Sequence, residues 1–271
     1  MSWLDEPASD TQISHRSRIW LYVAAAAVMA FLVLPTLIVV PMSFTSAEQL
    51  IFPPVGFSLR WYVNYATTNA WRLATLNSVL TATGSMVLAT VLGTLAALAI
   101  SRGRLPFRGG ITTLFLFPMI VPSIVTAVAI YNTFAKLHLT DSVAGMILAH
   151  TILGLPFVVI NVLAVLQKMD WQIVDAARSC GATPTRALFL VTLPAIMPGV
   201  LAGAVFAFVT SFDEVVVALF LSGTSAMTLP VQMWNGIRFE INPTVAAVSV
   251  ILIVFATAVF AAITTLRRGT P

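Results

Sequence analysis

Residues 170–194 read DWQIVDAARSCGATPTRALFLVTLP. The stretch is a polar interruption in an otherwise apolar chain, and it carries its own punctuation. Asp170 suits an N-cap, with a helix starting at Trp171. Gly181 suits the left-handed position that closes such a helix. Thr183 and Pro184 then read as the cap and first-turn proline of a second short helix. Helix, glycine turn and helix lead into an apolar run at Leu193-Pro194. In the first helix, Ile173, Ala176, Ala177 and Cys180 fall at i, i+3, i+4 and i+7, forming one apolar stripe. Such a stripe needs cover, either from this chain's own helix ends or from another subunit. The alanines permit close backbone approach. Asp175 and Arg178 are spaced to pair with each other or with a partner.

Outside this stretch the chain has little polar surface. Of its 271 residues, 59% are hydrophobic and 9% charged, against roughly 25% charged in a soluble domain. The solvent of most of the fold is therefore lipid. One cysteine, Cys180, excludes an internal disulfide, and the histidines at 15, 138 and 150 show no ligand spacing. No metal site is expected. The first 18 residues are polar, and the apolar run after them is too long for a signal-peptide core, so it reads as an uncleaved anchor.

A membrane helix needs ~20 apolar residues. Five runs without a Lys, Arg, Asp or Glu qualify: Ile19 to Val40, Val79 to Ile100, Ile111 to Phe134, Val143 to Leu166 and Val245 to Leu266. A sixth begins near Pro194, ends near Leu221 and contains Asp213 and Glu214. Strands have too few polar partners for their backbone groups, so the expected fold class is all-α with six transmembrane helices. The expected division is a tail at 1–18, a membrane domain at 19–266 and a tail at 267–271. Within the domain, 41–77 lies outside the cell and 170–194 inside. Aromatic residues such as Trp61, Tyr62 and Trp71 place the outer segment on the membrane face, and Ser58 suits the cap of a short helix over Leu59 to Tyr65.

Loop charge gives the orientation. With six spans, one side carries Arg16, Arg18, Arg102, Arg104, Arg108, Lys168, Arg178, Arg186, Arg267 and Arg268, and the other only Arg60, Arg72, Lys136 and Arg238. Ten against four places both termini and the 170–194 loop in the cytoplasm.

The order Asp175-Ala176-Ala177, three residues, Gly181, nine residues, Val191-Thr192-Leu193-Pro194 resembles the cytoplasmic E-A-A-x-x-x-G-x9-I-x-L-P loop of ABC importer permeases. Asp175 replaces the usual Glu and Val191 the usual Ile. The resemblance implies the type I importer permease fold in a bacterial inner membrane. It implies that Asp175, Ala176, Ala177, Gly181, Leu193 and Pro194 couple the bundle to an ATPase. It also implies a second permease subunit, two ATP-binding subunits and an extracytoplasmic solute-binding protein. Nucleic acid is not an expected partner; membrane lipid is. Neither Lys136 nor Lys168 sits in a Walker A sequence, so ATP and Mg are expected on the partner ATPase and no cofactor or catalysis on this chain.

The run Phe208-Val-Thr-Ser-Phe-Asp213-Glu214, with Leu229-Pro230, Ile237-Arg238 and Asn242-Pro243, resembles the spermidine and putrescine permease subgroup. Phe52-Pro53-Pro54 and Ser58-Leu59-Arg60-Trp61-Tyr62 point the same way. Intramembrane acids often mark a pathway, so Asp213 and Glu214 are candidates for substrate pathway or gate. Acids there favour a cationic solute; a structural pair is the alternative. His150 and Asn161 read as interhelical hydrogen-bond partners, and Pro118, Pro122 and Pro156 as kinks. The subgroup resemblance implies a polyamine such as spermidine or putrescine as solute. The alternatives are a permease of the same kind for another solute (an amino acid or other amine, ferric iron or thiamine) and, from another class, an ion-coupled secondary transporter.

Overall fold

The computed structural model describes residues 15–103, 106–240 and 242–268. Arg104 and the ends of both expected tails lie outside these. The described residues are helical with no strand: α1 Ile19–Ser43, α2 Arg60–Thr67, α3 Asn69–Arg102, α4 Arg108–Ile120, α5 Ser123–Lys136, α6 Val143–Leu166, α7 Gln172–Ser179, α8 Pro184–Ala187, α9 Leu193–Phe212, α10 Val216–Leu221, α11 Leu229–Asn235 and α12 Thr244–Arg268. Among the described residues, four stretches are long and apolar enough to cross a membrane: α1, α3, α6 and the continuous run Pro184–Phe212.

The third expected span is broken. Instead of one helix over Ile111 to Phe134, α4 and α5 meet at 101°. Pro122 has no N–H to continue the ladder, and its ring forces Val121 out of the helical region; Val121 is extended at φ −73°, ψ 134°. Pro118 and Pro156 instead lie within continuous helices. The second span also differs from its hydropathy. α3 begins at Asn69, well ahead of Val79, because its first turns carry Trp71, Asn77 and Ser78.

The chain forms two compact units. The larger, Thr68–Asn235, is built on α3, α6 and α9, each packed against the other two. Lipid offers no hydrophobic drive for helices to associate, so small residues that admit close approach hold them together. Ala89, Ala97, Val158, Val162 and Ala207 form the buried seam. Gly203 shows the close approach: a Cβ there would lie 2.8 Å from the Val158 Cα. A second core joins α5, α6 and α10 around Phe134, Met146, Val217 and Leu221. His150, buried on α6, reaches α9, where its Nδ1 lies 2.8 Å from the Ser211 Oγ and 3.1 Å from the Ser211 carbonyl. Asn161 does not bridge helices: its amide donates to the Phe157 carbonyl one turn back at 2.8 Å.

In the other unit, α1 packs along α12, and α2 packs on α12. Trp61 Nε1 donates to the Thr45 carbonyl at 2.9 Å, and the Asn64 amide donates to Thr244 Oγ1 at 2.8 Å. Ser58 Oγ accepts the Arg60 N–H at 3.2 Å, and the short helix runs Arg60–Thr67 rather than Leu59 to Tyr65. The apolar outer surface of α1 is exposed along its length, as a lipid-facing helix requires.

Candidate functional site: the loop between α6 and α9

The 170–194 loop folds as two short helices around a glycine turn. Asp170 Oδ1 accepts the Gln172 N–H at 2.9 Å, and the first regular residue of α7 is Gln172, one later than expected. After α7, Gly181 takes φ +90°. The Gly181 N–H donates to the Arg178 carbonyl at 3.0 Å and the Ala182 N–H to the Ala177 carbonyl at 3.1 Å. This is the paired closure that only a left-handed residue permits. Thr183 Oγ1 then accepts the Arg186 N–H at 3.3 Å, with Pro184 in the first turn of α8.

Leu193-Pro194 has a structural consequence at the membrane entry. A proline inside a helix removes one hydrogen bond and clashes with the carbonyl four residues back. Residues Leu188–Thr192 widen into a π turn just before it, and the Leu193 N–H reaches the Leu188 carbonyl five residues back. The wider turn absorbs Pro194 without breaking the run from Pro184 to Phe212.

The loop is seated by residues the sequence pattern did not single out. Val174 is the buried residue of α7. Arg102, the last residue of α3, donates to Asp175 Oδ1 at 3.1 Å, and its guanidinium lies over the Trp171 ring at 4.9 Å. Asp175 thus pairs with Arg102 and not with Arg178. The expected stripe stays open: Ile173 is 58% exposed, Ala176 and Cys180 are exposed, and Ala177 is half-buried. Only a tertiary contact tells Arg102 from any other end-of-span arginine, so no sequence signal was available for it.

At the opposite end of α9, Asp213 is exposed and follows the last helical residue. Glu214 Oε1 accepts the Val217 N–H at 2.9 Å and so caps α10. The two acids therefore separate: one is a structural cap, the other an open carboxylate. The chain beyond α10 is held by Asp141, which sequence reasoning missed. Its Oδ1 accepts the N–H groups of Gly223, Ser225 and Ala226, each at 2.9 Å. Partial burial pushes this carboxyl up, but the three backbone donors outweigh it and hold it below the ordinary carboxylate range. Asn77 adds two bonds, its amide donating to the Ser225 and Met227 carbonyls at 3.0 Å, and Ser78 Oγ accepts the Leu229 N–H at 2.7 Å.

Long apolar helices with a capped helical hairpin between two of them are the architecture of an integral membrane protein. Residues 89–270, about two thirds of the chain, match the family model described as binding-protein-dependent transport system inner membrane component. The chain belongs to this family and is an ABC importer permease. It is 32% identical over 241 residues to the putrescine transport system permease protein PotI of Escherichia coli, covering 86% of this chain and 85% of that one. The spermidine/putrescine permease PotC of Haemophilus influenzae is 30% identical, covering 85% and 90%. The molybdenum transport system permease ModB of Mycobacterium bovis is 29% identical, covering 88% and 90%. In three dimensions the chain is similar to the crystal structure of a bacterial ABC transporter involved in the import of alginate. The TM-score is 0.76 at 16% identity, covering 93% of this chain and 98% of that one, which supports the type I fold.

Proposed function

We propose that this chain forms half of the translocation pathway of an ATP-driven importer of polyamines. The observation that carries the substrate class is the similarity to putrescine and spermidine/putrescine permeases over more than four fifths of the chain. The open carboxylate of Asp213, which favours a cation, agrees with it. The energy source is a separate ATP-binding subunit, which holds ATP and Mg; this chain is not an enzyme. The open face of Ile173, Ala176 and Cys180 is the seat of that subunit. Asp175 and Gly181 set the shape of the seat, and Leu193-Pro194 carries its movement into α9.

The assembly has a second permease chain, different from this one, two ATP-binding subunits and an extracytoplasmic solute-binding protein. Both termini and residues 170–194 face the cytoplasm, while 41–77 faces outward, as the distribution of Lys and Arg supports. The second reading is the same machine with another solute, favoured by the molybdenum permease relative. Family membership removes the ground for an ion-coupled transporter. The test is uptake of labelled putrescine and molybdate by cells carrying the whole transporter. Putrescine uptake that stops when ATP is depleted, and that is lost in the Ala177→Glu, Gly181→Val double variant, supports the proposal. Uptake of molybdate alone overturns the substrate, and putrescine uptake unaffected by the double variant overturns the coupling role.

A further inference from the structure

A cavity of about 340 Å³ opens between the last turns of α3 and the 170–194 loop. Leu95, Leu98, Arg102, Trp171, Arg178 and Leu188 contribute to its wall. The wall changes character along α3. Leu95 lies seven residues before Arg102, about 10 Å along the axis at ~1.5 Å per residue. One end of the cavity is therefore apolar and the other carries guanidinium groups, with Trp171, a residue type of the headgroup zone, at the charged end.

The rim charge is uneven. Asp175 is bonded to Arg102 at 3.1 Å and offsets one cation. The Arg178 side chain has neither an ion pair nor a hydrogen bond among the described residues. One uncompensated guanidinium thus stands over an apolar floor.

We propose that this cavity binds one anionic phospholipid of the leaflet on the loop's side. Its phosphate meets Arg178 beside Arg102, and its glycerol and first acyl carbons lie on Leu95, Leu98 and Leu188. Basic pockets at the cytoplasmic ends of membrane helices suit such headgroups. A free phosphate would leave the apolar floor wet, and a carboxylate from another subunit would reach Arg178 without filling the space beside Leu98. A lipid wedged here touches both α3 and α7, so it ties the seat of the loop to membrane composition. The inference rests on the membrane embedding and inner-face placement of the loop, and not on ATPase docking.

The test uses the full-length chain with its transporter subunits in bilayer discs of equimolar phosphatidylglycerol and phosphatidylcholine. After gentle extraction, native mass spectrometry counts the lipids retained. One phosphatidylglycerol is expected in preference to phosphatidylcholine. Arg178→Gln lowers its occupancy about fivefold, the share of one basic residue at an anionic surface. Leu98→Trp fills the floor and removes the adduct. Arg186→Gln, on α8 and outside the cavity wall, retains it. If Leu98→Trp fails to fold, the contrast between Arg178→Gln and Arg186→Gln decides alone. Equal retention of the two lipids, or equal losses in the two arginine variants, overturns the site. Displacement of the lipid by inorganic phosphate alone overturns the lipid as its ligand. Retained lipid without ATPase association would leave this site standing and remove the coupling role, so the two failures are distinguishable.

Discussion

Arg102 and Asp175 lie 73 residues apart in sequence and 3.1 Å apart in space, joining the end of α3 to the middle of α7. Their side chains are 45% and 66% exposed, so the pair orients more than it stabilises: exposed ion pairs contribute ~0–1 kcal/mol. The anchor is Val174, which is 1% exposed. Val174→Ala removes two buried methyl groups, about 1–2 kcal/mol at ~0.8 kcal/mol per carbon. Asp175→Ala costs under about 1 kcal/mol. Hydrogen exchange of the α7 amides checks this: a large rise is expected for Val174→Ala and a small one for Asp175→Ala.

Gly181 sits at φ +90° with open space where a β carbon would lie. The cost of a side chain there is therefore backbone strain and not a clash. Gly181→Val is expected to cost on the order of 1–3 kcal/mol of local stability. Gly181→Asn, which visits left-handed conformations more readily, costs less. Thermal unfolding of the two variants gives the order, and equal losses would point to a contact at Gly181 in place of strain.

The Asp141 clamp on residues 223–226 has a pH signature. Its folded pKa is lowered below the ordinary value of 3.8. A lowered carboxylate contributes stability that is fully present above the ordinary pKa and is lost as pH falls through the folded value. The gap in unfolding temperature between wild type and Asp141→Asn is expected to stay constant from neutral pH to about pH 4 and to shrink below that. A gap that closes between pH 7 and 5 would contradict the clamp.

Asp213 and Glu214 are adjacent but are assigned different work. Glu214→Ala loses the α10 cap and costs about 1 kcal/mol, while Glu214→Gln keeps an acceptor oxygen and costs less. Asp213→Asn leaves stability unchanged and lowers uptake of a cationic solute. Unfolding temperature and putrescine uptake measured on the same variants separate the two roles.

Much of the 170–194 loop was legible because its signals are local. Asp170, Gly181, Thr183 and Pro184 each act on backbone groups within a few residues, and each does so in the structure. Four of the six apolar runs were legible for the same reason. Hydropathy did not locate the start of α3, because Asn77 and Ser78 satisfy distant loop groups rather than water. It also read one span where Val121-Pro122 turns the chain by 101°. Arg102, Trp171 and Asp141 acquire their roles only when residues far apart in sequence meet, and no periodicity encodes that meeting. Asp213 and Glu214 look alike in sequence, and only the α10 cap separates them.

The most direct measurement uses Cys180, the single cysteine of the chain, which is exposed beside Ala176 and Gly181. A maleimide photocrosslinker is attached to Cys180 in inverted membrane vesicles containing the whole transporter. The prediction is labelling from the cytoplasmic side and a covalent adduct with the ATP-binding subunit whose yield changes on adding ATP. Labelling only from the outer face, or adducts with lipid alone, would contradict the account.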